Sequence, residues 1–203
     1  MTRRRLLTAL LLAPILLFGL GCCVGLIWSS TEISQDEYAV YSAILEDYFD
    51  TRASGHEGNP DAVLIRSQTA VDWNLTQSTL LLIMPRLSGP TTESAPFWTR
   101  WTWIAKGFLE KSIERRIKFG LPYFLLPPAE LDEYEPEHSM AIREQLHAAG
   151  YVRLTRVGFD LEKHLALVYF EHICGLCGGG YFFLLEKTDG SWKIIEEAMT
   201  WVS

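Results

Sequence analysis

The chain has 203 residues, 48% of them hydrophobic, with 18 Lys and Arg against 25 Asp and Glu, for a formal charge of −7. That length suggests one domain with appendages. Arg3, Arg4 and Arg5 lie at the extreme N-terminus, so the rest of the chain sets 15 basic against 25 acidic residues and stands at −10; such a domain repels phosphates and is not expected to bind nucleic acid.

From Leu6 to Trp28 there is no charged residue. A run of this length behind three arginines is long enough to span a bilayer, with the arginines held in the cytoplasm and Ser29 onward outside. Three anchorings stay open. The first is an uncleaved transmembrane helix. The second is a lipoprotein modified at Cys22, since Leu20-Gly21-Cys22 loosely resembles a lipobox. The third is a cleaved signal peptide, against which stand the run's length and the lack of an Ala-x-Ala exit. All three imply export, so residues 1–28 are read as a basic n-region with an anchor or signal segment. Residues 29–203 are read as an extracytoplasmic α+β domain.

Ser34-Gln35-Asp36-Glu37 is a capping box. Tyr38, Tyr41, Leu45, Tyr48 and Phe49 follow at helical spacing, predicting an amphipathic helix to about Asp50. Gly55, Gly58 and Pro60 mark a loop, and Ala62–Arg66 reads as a short buried strand. Helices are expected over Leu75–Leu87, over Phe97–Lys118 (stopped by Gly120 and Pro122), and over Glu137–Ala149 with Gly150 just past its end. Tyr123–Leu126 reads as an edge strand.

The last fifty residues change character. Tyr151–Phe159, His164–Ile173, Tyr181–Lys187 and Trp192–Val202 are strand candidates rich in aromatic and β-branched residues, and Asp189-Gly190 favours a tight hairpin. Short connections force neighbours to pair antiparallel. The expected fold is therefore α+β, with helices first and a C-terminal antiparallel meander of about four strands.

Arg156-Val157-Gly158-Phe159-Asp160, Ala166-Leu167-Val168-Tyr169, Cys174-Gly175-Leu176-Cys177-Gly178, Trp192-Lys193-Ile194 and the ending Trp201-Val202-Ser203 resemble the signature of a family of uncharacterised exported bacterial proteins. The match covers about the last quarter of the chain, and the first helix more loosely. The resemblance implies a bacterial cell envelope location and no particular activity. The order of helix and curved sheet is also similar to nuclear-transport-factor-2-like folds, which is a likeness of fold alone.

Cys174-Gly175-Leu176-Cys177 followed by three glycines is the most specific feature. An oxidising compartment favours a structural disulfide between Cys174 and Cys177. Metal ligation by His172, Cys174 and Cys177 lacks a fourth ligand. Redox chemistry wants the first cysteine at a helix N-terminus, whereas here a strand follows. Glu171 and His172 alternate along a strand and face opposite sides, so they form no local acid–base pair. No phosphate loop, dinucleotide fingerprint, nucleophile elbow or metalloprotease helix appears. No catalytic residue and no cofactor is named.

Trp98 and Trp101 open a segment that also carries Arg115 and Arg116. An amphipathic helix there is a candidate contact with anionic lipid, the alternative being that its aromatics pack on the sheet. The expected function is a membrane-tethered module that holds lipid through its N-terminal segment and binds an unknown protein or small molecule without catalysis. The alternative is an exported enzyme, thiol-dependent through Cys174 and Cys177, or a hydrolase.

Overall fold

The computed structural model describes residues 32–51, 61–70, 95–131, 136–174 and 178–202. The N-terminal apolar run and the helix expected over Leu75–Leu87 lie outside these residues, as does the loop marked by Gly55, Gly58 and Pro60. No helix among the described residues is long and apolar enough to cross a membrane.

Helix α1 spans Gln35–Thr51. Its N-terminus is closed by the expected capping box: Glu37 N–H donates to Ser34 Oγ at 3.3 Å, and Ser34 N–H donates to Glu37 Oε2 at 3.0 Å. Strand β1 spans Ala62–Arg66, helix α2 Phe97–Gly107, and strand β2 Tyr123–Leu126. A 3₁₀ turn over Pro128–Leu131 leads to helix α3, Pro136–Gln145. Strands β3 (Ala148–Leu154), β4 (Gly158–Phe159), β5 (Leu165–Ile173), β6 (Gly179–Thr188) and β7 (Ser191–Val202) follow.

The sheet runs β2-β1-β3-β5-β6-β7, with the short β4 paired beside β5. β3, β5, β6 and β7 are antiparallel neighbours, as their short connections require. Thr188 pairs with Ser191 around Asp189 and Gly190, whose φ values of 52° and 79° suit a two-residue hairpin turn that matches the strand twist. The sheet is wider than the expected meander of about four strands. β1 pairs in parallel with both β2 and β3, the long intervening segments supplying the crossovers that parallel pairing needs.

Three boundaries differ from the sequence reading. The helix expected to reach Lys118 stops at Gly107. Past it the chain runs alongside the end of β1: Thr69 N–H donates to Lys111 O at 2.9 Å, and Ile113 N–H to Ser67 O at 2.7 Å. Ile113 and Ile117 are both buried, and their four-residue spacing imitates a helical stripe. Glycine has poor helix propensity, and these pairings with the β1 end prevail beyond it. Likewise α3 ends at Gln145, because Ala148 is already paired with Ala62 of β1. The reversal falls at His147, with φ 46°, and Gly150, with φ 131°, lies inside β3 rather than past a helix end. Finally, Tyr151–Phe159 is two strands, interrupted at Thr155–Val157.

α1 covers one face of the sheet. Tyr41, Ile44, Leu45, Tyr48 and Phe49 pack there with Val63, Ile65, Val152, Phe170, Phe183 and Trp192. α2 covers the other face over Leu167, Tyr169, Phe182 and Leu184, through Trp103 and Ile104. Trp101 and Phe108 are exposed, and Trp103 takes the buried place beside Ile104.

Candidate functional site

Arg156 interrupts the sheet because its side chain is needed elsewhere. It is 1% exposed, as is Glu37, and the two form a bidentate pair: Arg156 Nε donates to Glu37 Oε1 at 2.8 Å and Nη2 to Oε2 at 3.2 Å. Val157 N–H donates to the same carboxylate at 3.3 Å, and Lys106 Nζ lies 3.6 Å from it while donating to Val157 O at 3.0 Å. One carboxylate thus caps α1, holds the end of α2 and locks the β3–β4 connection. Burial alone would raise the Glu37 carboxyl, but the Arg156 hydrogen bond and the charges of Lys106 and Arg156 outweigh it and hold it below its ordinary value. Burial pulls the Lys106 ammonium below its usual range despite that partner.

The neighbouring motif residues are structural as well. Val157 and Phe159 are core residues. Gly158 lies against α2, where a Cβ would stand 2.4 Å from Thr99 O and 2.5 Å from Trp103 N. Asp160 accepts from the N–H groups of His164 and Leu165 at 2.7 and 2.9 Å, closing the β4–β5 turn. Each residue from Arg156 to Asp160 therefore has a packing or hydrogen-bonding duty.

The cysteine hairpin joins β5 to β6. Cys174 is buried; residues 175–177, and with them Cys177, lie outside the described residues. Arg143 Nη2 of α3 donates to Cys174 O at 3.3 Å. The glycines after the hairpin make room for rings. A Cβ on Gly179 would meet the Tyr181 hydroxyl at 2.6 Å, and one on Gly180 would meet Trp201 Nε1 at 2.2 Å and the Tyr169 hydroxyl at 2.3 Å. His172 lies on the α1 face, buried, its Nδ1 3.2 Å from the Tyr48 hydroxyl and its ring edge-on to Tyr48 and Phe49. Among the described residues no group of three or more His, Cys, Asp or Glu is placed to hold a metal.

Glu171 points to the opposite face, as the strand period requires. There a row crosses four strands in register, Arg153, Glu171, Gly180 and Trp201. Arg153 Nε lies 3.3 Å from Glu171 Oε2, and the Tyr169 hydroxyl donates to Glu171 Oε1 at 3.1 Å. Trp201 Nε1 donates to the Tyr169 hydroxyl at 3.0 Å across the space Gly180 leaves open. Burial, with the Glu171 charge beside it, pushes the Tyr169 phenol up to about 12. It is a hydrogen-bond donor at neutral pH and not a base. This row escaped the sequence reading, since only strand register brings these residues together.

The candidate lipid-contact residues separate. Trp98 and Trp101 sit at the start of α2, 49% and 40% exposed, with Phe97 at 52% beside them. Phe97 stacks on Trp101 at 6.4 Å and meets Trp98 edge-on at 5.4 Å. Arg115 and Arg116 are not on that helix. Arg115 lies 5.7 Å over the Tyr123 ring and Arg116 4.9 Å over the Tyr38 ring, so both arginines cover core aromatics.

Comparison with protein-family models, curated proteins and solved structures finds no match.

Proposed function

We propose that the chain is a membrane-tethered module of the bacterial cell envelope, with its domain outside the cytoplasm, that binds a protein partner without catalysis. In this reading Cys174 bridges to Cys177 as a staple of the β5–β6 turn. The N-terminal run holds the membrane, and the resemblance to exported bacterial proteins agrees with that placement.

The observation that carries the binding reading is the free side of β7. Twelve residues long, it ends the sheet and pairs only with β6 among the described residues, and Ile195, Met199 and Val202 on it are exposed. An open edge of this length is a template for an added strand, with backbone hydrogen bonds giving affinity and alternate side chains giving selectivity. Lys193, Glu196, Glu197 and register shifts opposite Gly180/Tyr181 and Leu184/Leu185 keep the edge from pairing indiscriminately. The ionisable groups that would suggest chemistry (Glu37, Arg156, Glu171 and Tyr169) instead spend their hydrogen bonds on one another.

Placing the photo-crosslinker p-benzoylphenylalanine at position 199 of the full chain in intact cells is expected to give a discrete protein adduct. The Ile195→Lys/Val202→Lys double variant should reduce that adduct at least tenfold. A chain giving no protein adduct at 199, or one unaffected by the edge charges, contradicts the β7 binding site.

A further inference from the structure

We infer that the start of α2 rests on the lipid bilayer, with the Phe97, Trp98 and Trp101 rings at the boundary between headgroups and acyl chains. This deepens the tethered-module reading and rests on it.

α2 is apolar on two sides. Thr99, Trp103, Ile104 and Gly107 are buried, while Phe97, packed against both Trp98 and Trp101, is exposed with them at the first turns. Tryptophan, with an apolar body and one N–H, is the side chain most at home where hydrocarbon meets water. The charge of the helix suits the same surface. α2 carries the partly exposed Arg100 and no carboxylate, its Lys106 being turned to Glu37, whereas α1 carries Asp36, Glu46 and Asp47, and α3 carries Glu144. In a domain at −10, this is the one of the three described α-helices that an anionic lipid surface does not repel.

Chain length makes the contact reachable. Five peptide units separate Trp28, the end of the uncharged run, from Ile33, and they span at most about 18 Å whatever their conformation. Four residues past Ile33, Glu37 lies 3.6 Å from Lys106 of α2. From Lys106 back to Trp98 the helix advances roughly 12 Å. A domain held on so short a leash presents the aromatic turns to the membrane at high effective concentration, so a patch too weak to bind lipid alone binds when tethered.

The test uses the full chain in native membranes, with p-benzoylphenylalanine at position 98 and, separately, at position 101, irradiated and analysed by intact mass. The expected result is a phospholipid adduct at both positions, at least fivefold more abundant than with the probe at position 124, an exposed site on β2 at the far edge of the sheet. Exclusive crosslinking to a second copy, to another protein or to residues 71–94 of the same chain overturns the lipid contact. Alkaline carbonate extraction of the unsubstituted chain separates the two readings. A chain that stays with the membrane but gives no lipid adduct loses only the docking, whereas a chain released by carbonate loses the tether and the docking together.

Discussion

Gly158→Ala is expected to destabilise the domain by about 3 kcal/mol or more, an unusual cost for adding one methyl group. The new Cβ would fall 2.4 Å from Thr99 O, 2.4 Å from Trp103 Cβ and 2.5 Å from Trp103 N. Two of these three atoms belong to the α2 backbone and cannot turn aside as a side-chain tip can. Relief requires α2 to lift off β4, loosening the Thr102 hydroxyl from Phe159 O at 2.7 Å and the Trp103 indole from Thr155 Oγ1 at 3.0 Å. Gly107→Ala supplies the control. Among the described residues nothing lies within 4 Å of its added Cβ, so removing a helical glycine there should stabilise by about 0.5–1 kcal/mol. Urea titration of the full chain in detergent, followed by tryptophan fluorescence, reads both. Equal effects from the two glycines would contradict the close approach of α2.

Arg156→Met is expected to cost about 3–5 kcal/mol, the usual penalty for leaving a buried charge without its partner. Glu37 has little water to turn to, and Lys106 at 3.6 Å only partly replaces a bidentate guanidinium. The Glu37→Gln/Arg156→Met double variant should recover part of the loss, because a neutral amide keeps an acceptor for Ser34 N–H without an uncompensated charge. The same pair sets an acid limit on stability. The Glu37 carboxyl is held below its ordinary value of 4.5 in the fold, so its contribution is complete above about pH 4.5 and is lost as pH falls through the depressed value. Denaturation midpoints measured from pH 7 downward should fall more steeply for the unsubstituted chain than for the double variant. Parallel curves would show that the pair contributes nothing to the acid limit.

The elements legible in the sequence were those with a local cause. α1 announced itself through Ser34 and Glu37, and the long strands through runs such as Leu165–Ile173 bounded by turn residues. Where tertiary pairing decided, the local signal misled. Ile113 and Ile117 keep helical spacing in a segment that pairs with the end of β1, and Ala148 looks helical but joins a parallel ladder. Glu37 is readable as a cap, yet its second duty depends on Arg156, more than a hundred positions away. Nothing local foretells that a residue next to a strand end turns inward as a buried cation. The Arg153–Glu171–Gly180–Trp201 row was hidden for a related reason. Each residue is ordinary on its own strand, and only register across four strands aligns them. The cysteine hairpin was legible as a feature, but not the rings that fill the space of Gly179 and Gly180.

The proposed tether and outward placement of the domain are tested most directly by protease added to intact spheroplasts expressing the full chain with a C-terminal epitope. The expected result is loss of the epitope at protease levels that leave a cytoplasmic marker whole, with the epitope confined to the membrane fraction before digestion. The warrant is the uncharged run from Leu6 to Trp28 behind three arginines. An epitope that survives until the membrane is broken, or that appears in the soluble cytoplasmic fraction, would contradict the account.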